Sequence, residues 1–419
     1  MDPNLRRILP VITPFFLLLL LAGGREHASL AAAASPEPLR LGVVLDFSGA
    51  LGEHGPIGRQ AAELAMAQIN SAGGILGRPL EIYFADGKTD PAAAVAAARG
   101  LLAEHRVHAI VGAMGSASTL ALARQVTIPA HIPTVTPTST APEISQLDDG
   151  DFVFRASASD SAQGAVLAQL VTDEGHAAAA VVYRDDAYGR GLFHSFVQNF
   201  RGRAEGLAIT EEKESYLAEL RRLAAGRNSA LVLLTYPLET EIMVREALHH
   251  ELFRRFVFAD STRMADLMNR IDRVALDGVK GTSPALRDGL DHPSTRAFLD
   301  AYRDRYGAAP TFGPGASVYD SVLCLALAAE KAGGTGGAAI RDALRPVCSG
   351  PGEEHIASAA SIASALDALR AGRDIDYQGA FTTVDWNAAG DVANGYVDVW
   401  DYKGGEIASL KLVPYDLGR

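Results

Sequence analysis

From residue 39 onward the chain alternates apolar runs of strand length with segments of helix length, and Gly or Pro marks the joints between them. The spacing predicts strands near 41–47, 80–85, 107–111, 134–136 and 152–155, with helices over 58–71, 91–104 and 118–128. Pro91 suits the first turn of its helix, where a missing N–H costs nothing. The alternation then restarts, with helices over 161–174, 190–200, 217–225 and 239–249 separated by strands near 178–183, 207–211, 230–235 and 256–259. Strands joined through helices of ten or so residues pair in parallel by right-handed crossovers. Two consecutive series therefore predict an α/β protein with two doubly wound parallel-sheet lobes. After a run at 279–283 comes a mainly helical region to about 372. An antiparallel pair follows, near 382–386 and 396–402, with Asn387, Gly390, Asn394 and Gly395 as turn residues.

The first residues form a separate unit. Arg6 and Arg7 precede an apolar run from Ile8 to Ala22, and the small residues Ala31 to Ala34 follow. That is the layout of a secretory signal peptide over 1–34, cleaved near Ala34. The run is shorter than the roughly 20 residues that cross a bilayer comfortably. An uncleaved anchor is the alternative, and both place the remainder outside the cytoplasm. No Cys follows the run, so a lipidated N-terminus is not supported.

Composition narrows the function. The 419 residues are 48% hydrophobic and 21% charged, enough for two α/β domains with substantial cores. The net charge of −12 and the lack of any long Lys/Arg run exclude the footprint of a nucleic-acid binder. Cys324 and Cys348 are an even pair, which outside the cytoplasm favours a disulfide worth about 3 kcal/mol. Two sulfurs without a nearby His pair do not make a metal site. There is no Gly-x-Ser-x-Gly elbow, His-Glu-x-x-His, P-loop or Rossmann glycine triplet, so neither a catalytic centre nor a cofactor is expected. The Gly-rich segment at 333–337 reads as a turn, since no strand precedes it.

Several polar groups fall at the carboxyl ends of predicted strands, where parallel sheets bind ligands. Gly112-Ala-Met-Gly-Ser-Ala-Ser-Thr119 leads into a helix, so Ser116, Ser118 and Thr119 either donate to a carboxylate or cap the helix. Thr134-Val-Thr-Pro-Thr-Ser-Thr140 is either a second donor loop or an ordinary hydroxyl turn. Tyr188, Tyr236 and Asp260 sit at three rims of the second series. Together they suit an ammonium through hydrogen bonds, cation–π contact and charge pairing; singly, each is an ordinary surface or packing residue.

These pieces are collinear with a known family. Ser48-Gly49, Ile69-Asn-Ser-Ala-Gly-Gly-Ile-Leu-Gly77, Asp86 with Asp90-Pro91, Ser116-Ala-Ser-Thr119, Thr136-Pro-Thr-Ser-Thr140, Tyr188-Gly189 and Tyr377-Gln-Gly-Ala380 resemble the leucine/isoleucine/valine-binding type of periplasmic solute-binding protein. The resemblance implies a non-enzymatic, monomeric periplasmic protein that captures an amino acid or related carboxylate or amide and serves an ABC transporter permease in the inner membrane. A ligand-sensing receptor or regulatory module is the alternative. It also implies a three-stranded hinge, with residues 36–157 plus 284–378 as one lobe, 158–283 plus 379–415 as the other, and the ligand cleft between them. The α-carboxylate maps onto Ser116, Thr138 and Thr140, the ammonium onto Asp260, and the second-lobe aromatics onto Tyr188 and Tyr236. His54 stands where the prototype has an aromatic over the ligand, and Gly115 replaces a cysteine, so side-chain specificity is open.

Overall fold

The computed structural model describes residues 37–418 apart from 211, 288–290 and 311–313. The expected signal peptide and its cleavage near Ala34 lie outside the described residues. Five parallel strands build the first sheet: β1 (Arg40–Leu45), β2 (Glu81–Asp86), β3 (Ala109–Gly112), β4 (Thr134–Thr136) and β5 (Val153–Arg155), in the order β2-β1-β3-β4-β5. The connecting helices are α1 (Gly55–Ser71), α2 (Pro91–Gly100) and α3 (Ser116–Leu122). Asp90 caps α2, its carboxylate accepting from the Ala93 N–H at 2.7 Å, with Pro91 in the first turn.

The second series gives α4 (Asp160–Asp173), β6 (Ala178–Arg184), α5 (Ala187–Asn199), β7 (Arg203–Ile209), α6 (Leu217–Ala225), β8 (Ala230–Leu234), α7 (Pro237–His249), β9 (Phe256–Phe258), α8 (Ala265–Asp272) and β10 (Val279–Pro284). Four more helices, α9 (Pro293–Tyr306), α10 (Gly315–Ala332), α11 (Gly337–Cys348) and α12 (Ala359–Arg370), alternate late in the chain with a small parallel pair, β11 (Glu353–Ile356) and β12 (Ile375–Gln378), that the sequence reading did not separate. The last strands, β13 (Asn394–Lys403) and β14 (Glu406–Asp416), complete a seven-stranded sheet in the order β14-β13-β10-β9-β8-β6-β7.

The antiparallel pair is thus β13 with β14, not 382–386 with 396–402. Gly404 and Gly405, both at positive φ, make the tight turn. Residues 406–416 are mostly exposed on both faces, so no apolar alternation marks them as a strand. Around Asn387 only the isolated bridge Trp386–Val392 survives, because the Asn387 side-chain oxygen accepts from the Ala389 and Asp391 N–H groups and closes a turn instead.

Each sheet carries a core. Leu41, Val43 and Leu45 of β1 and Ala61, Ala65 and Ile69 of α1 are fully buried alongside α10, which is buried from Gly315 through Glu330. A helix apolar all round must be wrapped by protein, and α10 packs on α1, α11 and the first sheet. Leu231, Leu233, Met243, Val244 and Trp400 centre the second core.

The chain passes between the sheets three times: after β5, between β10 and α9, and between β12 and β13. Two buried charges pin these passages. Asp320 of α10 accepts from the N–H groups of Ala380 and Phe381 and from the Tyr377 hydroxyl, each at 2.7–2.8 Å. Arg155, fully buried, pairs with Asp391 at 2.7 Å and donates to the Thr140 carbonyl at 2.9 Å, so it holds the loop after β4.

The cysteine expectation is corrected. Cys324 and Cys348 are free thiols on the buried contact of α10 with α11, their sulfurs 3.0 Å apart, where a disulfide bond would span about 2.05 Å. Helix packing brings the sulfurs together without a covalent bond, and burial pushes both thiols up, away from the reactive thiolate. Thiol titration with a disulfide-exchange reagent is therefore expected to find none in the native protein and two after unfolding without reductant. None after unfolding would restore the disulfide.

Candidate functional site

The loops at the carboxyl ends of both sheets meet over a cavity of about 80 Å³. The first sheet contributes Ser116 at the start of α3 and Thr138 and Thr140 from the loop after β4, with His54 from the turn before α1. The second contributes Tyr188 in the first turn of α5, Tyr236 just before α7, and Asp260 after β9. Each of the three passages adds one wall residue: Ser157, Pro284 and Phe381.

Ser118 and Thr119 do not line this cavity, contrary to the sequence expectation. The helix begins at Ser116, and each further residue rotates by about 100°, which turns the next hydroxyls inward. Thr119 Oγ1 instead accepts from the Ala113 N–H at 3.0 Å and meets Ser139 Oγ at 2.8 Å, tying the two hydroxyl loops together.

Among Ser116, Thr138 and Thr140, the expected first-lobe hydroxyls that do line it, proton allocation differs. Thr138 donates to the Met114 carbonyl at 2.9 Å, and Thr140 donates to Asp160 Oδ2 at 3.0 Å, so each has committed its one proton. Ser116 Oγ accepts from the N–H groups of Thr140 and Ala141, both at 3.2 Å, which leaves its own proton for something in the cavity.

The second-lobe wall is aromatic and acidic. Asp186 caps α5 by accepting from the Gly189 N–H at 3.0 Å, which fixes Tyr188 in the first turn. Tyr188 stacks on Tyr236 with ring centroids 5.6 Å apart and planes within 9°. Arg184 lies 4.4 Å over the Tyr236 ring and is itself held by Asp186 at 2.9 Å and by buried Glu239. Burial pulls the Arg184 guanidinium down, but Glu239 and Asp186 outweigh it and keep it raised. The aromatic pair therefore has a rigid charged backing.

Asp260 accepts from the Tyr188 hydroxyl at 2.8 Å and from Gln163 Nε2 at 3.0 Å, both neutral donors. Burial pushes its carboxyl up, and those hydrogen bonds only partly oppose it. Asp160, fully buried at the start of α4, is pushed well up by burial and then by the charge of Asp260, and its Oδ1 has no partner among the described residues. Neither acid makes an ion pair among the described residues. Asp160 and Gln163 escaped the sequence reading, because an acid in the first turn of a helix reads as a macrodipole partner. His54 is pulled down by burial and stays neutral near pH 7.

Contacts also cross the cleft. A Cβ added at Gly115 on the first-sheet side would come within 3.5 Å of the Tyr236 hydroxyl, so a larger residue there would meet the opposite wall. Glu53 pairs with Arg270 of α8 at 3.5 Å on the rim. Among the described residues no group of His, Cys, Asp and Glu could hold a metal ion, and no helix is long and apolar enough to cross a membrane.

The architecture and the chain both have relatives. The chain is 27% identical over 372 residues to the chemotactic signal transduction system substrate-binding protein BasB of Halobacterium salinarum, covering 86% of each. It is 26% identical over 340 residues, 80% of this chain and 88% of the relative, to the leucine-, isoleucine-, valine-, threonine- and alanine-binding protein of Pseudomonas aeruginosa. Its fold matches the branched-chain amino acid transporter substrate-binding protein LivJ of Streptococcus pneumoniae, solved with isoleucine. That match has a TM-score of 0.74 at 22% identity and covers 90% of this chain and 100% of the other. A sequence profile described as periplasmic binding protein matches residues 38–348, which carry every cavity-lining side chain except Phe381. With two parallel-sheet lobes meeting over one cavity and a family match across most of its length, the chain belongs to the periplasmic binding protein family.

Proposed function

We propose that this protein captures an α-amino acid by hinge closure and hands it to an ABC transporter permease. The observation that carries the reading is electrostatic. Asp260 on the cavity wall and Asp160 buried behind Thr140 put two acids close together with neutral hydrogen-bond donors and no ion-pair partner among the described residues. Such an arrangement is costly until a positive charge arrives. A ligand ammonium supplies that charge. Ser116, with its uncommitted proton, and the N–H groups opening α3 face it from the other lobe and suit a carboxylate.

Closure follows from the same geometry. A ligand stabilises a closed state only through contacts that the open state lacks, and here its two charged ends belong to different lobes. The proposed lobes are 36–157 plus 284–378 and 158–283 plus 379–415, moving about the three passages that each contribute a cavity wall. Leu51, Met114, Pro284, Pro314 and Phe381 would receive an apolar side chain. The isoleucine bound to the pneumococcal relative and the ligands named for the Pseudomonas protein support this class. Export to the periplasm as a monomer belongs to the same proposal. The chemotactic relative favours a second reading, in which the closed form signals to a receptor.

Calorimetry with leucine and with 4-methylpentanoate, which lacks only the ammonium, tests the proposal. Leucine is expected to bind at least about 100-fold more tightly, as loss of a buried charge pair costs roughly 3 kcal/mol or more. Equal affinities for the two would end the ammonium assignment.

The pH dependence has a definite sign. Asp260 and Asp160 have carboxyls raised by burial in the ligand-free fold, so their contribution to stability is full below the unfolded carboxylate pKa and is lost as pH rises through the raised values. An ammonium reverses this by favouring the ionised forms. The stabilisation conferred by an amino acid is therefore expected to grow between about pH 4 and pH 7, read as the ligand-induced Tm shift. A shift that is flat or falls over this range contradicts the role of the acids.

A further inference from the structure

A second cavity, of about 280 Å³, opens where the passages and the terminal hairpin come together. Ala285 and Arg287 reach it from the segment after β10, Phe381 to Thr383 from the segment after β12, and Asn394 to Tyr396 with Pro414 and Tyr415 from β13 and β14. Phe381 also lines the cleft between the lobes, so the two cavities share it as a wall residue.

Two polar groups in its wall are unsatisfied. Arg287 Nη1 and the Tyr415 hydroxyl oxygen are buried, and neither has a hydrogen-bond partner among the described residues. Buried donors are nearly always paired, and two orphans in the wall of one cavity mark a place where an acceptor belongs. Burial pushes the Asp320 and Asp376 carboxyls up and the charge of Arg287 only partly offsets this, but neither acid lines the cavity. Arg287 Nη1 can be satisfied only by donating to an anion or another acceptor, and the Tyr415 hydroxyl can donate to the same group. The rest of the wall includes Ala285, Phe381, Pro414 and the Tyr396 ring, surfaces that suit a short apolar tail.

We propose that the hinge cavity is a second binding site, taking a small monocarboxylate through Arg287 and Tyr415 and packing its hydrocarbon tail against Phe381 and Pro414. One guanidinium sets one negative charge, and among the described residues no acid lines the wall to receive an ammonium. Its occupant therefore differs in class from the amino acid proposed for the cleft, and the inference stands independently of that reading.

Butyrate is the probe. Titration into the full-length protein followed by calorimetry is expected to give saturable binding with a Kd of about 1 mM. The Ser116→Ala variant, which impairs the cleft, is expected to bind butyrate as the natural protein does. Arg287→Met is expected to weaken binding at least tenfold, and Tyr415→Phe, which keeps the ring and removes only the hydroxyl, about three- to tenfold, roughly one neutral hydrogen bond. Circular dichroism confirms that each variant is folded; should Arg287→Met fail, Tyr415→Phe carries the test alone. The proposal is overturned if butyrate shows no saturable binding up to about 50 mM, some fifty times the expected Kd. It is equally overturned if binding survives Tyr415→Phe and Arg287→Met unchanged, or is lost with Ser116→Ala, since the carboxylate then sits in the cleft.

Discussion

Asp260→Asn is expected to weaken amino-acid binding by about 100- to 1000-fold, roughly 3–4 kcal/mol, while raising the melting temperature of the ligand-free protein. Both effects come from one cause. In the ligand-free fold the Asp260 carboxylate is buried near Asp160 and held by neutral donors, among them the Tyr188 hydroxyl and Gln163 Nε2. Removing that charge relieves a desolvation cost and the repulsion that pushes Asp160 up. It also removes the partner on which the ammonium depends. Opposite signs for affinity and stability separate this account from a purely architectural role, in which both would fall together. Isothermal calorimetry and calorimetric melting read the two quantities on the same sample. Unchanged affinity for every amino acid would sink the assignment.

The second large effect falls on the hinge. Asp320→Ala is expected to destabilise the fold by about 3–5 kcal/mol at pH 5, because the Ala380 and Phe381 N–H groups and the Tyr377 hydroxyl all lose their acceptor at once. Burial pushes the Asp320 carboxyl up to about 6, against the lowering by those three donors. The contribution from its raised value is full below the unfolded pKa of 3.8 and fades as pH rises through about 6. The penalty of the substitution should therefore shrink by about 1 kcal/mol from pH 5 to pH 7. Urea unfolding at both pH values checks it; a penalty that grows with pH reverses the argument. Since Phe381 walls the ligand cavity, the same variant should also bind ligand more weakly.

Much of this arrangement is legible before folding. Strand-length apolar runs alternating with helices require parallel sheets, and parallel sheets place every βα loop at one edge. Ser116, Tyr188, Tyr236 and Asp260 could be picked out for that reason, as could the 134–140 loop within which the family resemblance singled out Thr138 and Thr140, and all six line the cavity. His54 came only from the family resemblance, and it lines the cavity too. Ser118 and Thr119 were picked by the same loop logic, which cannot resolve a rotation of one or two residues at a helix start. Strand β14 was missed because its two exposed faces carry no alternation, and Asp160 because an acid at a helix start is commonplace.

The set of rims was legible in the residues alone: local periodicity decides strand and helix, and the handedness of parallel crossovers decides which ends face the ligand. Which group holds each proton and charge within that set was settled by long-range packing. Thr140 gives its proton to an acid 20 residues away, Gln163 reaches Asp260 across 97, and Cys324 lies against Cys348 as a thiol rather than a bond. A hydroxyl has one proton, and a buried carboxylate answers to every neighbour in a low-dielectric site. Those allocations depend on groups that only the completed fold brings together.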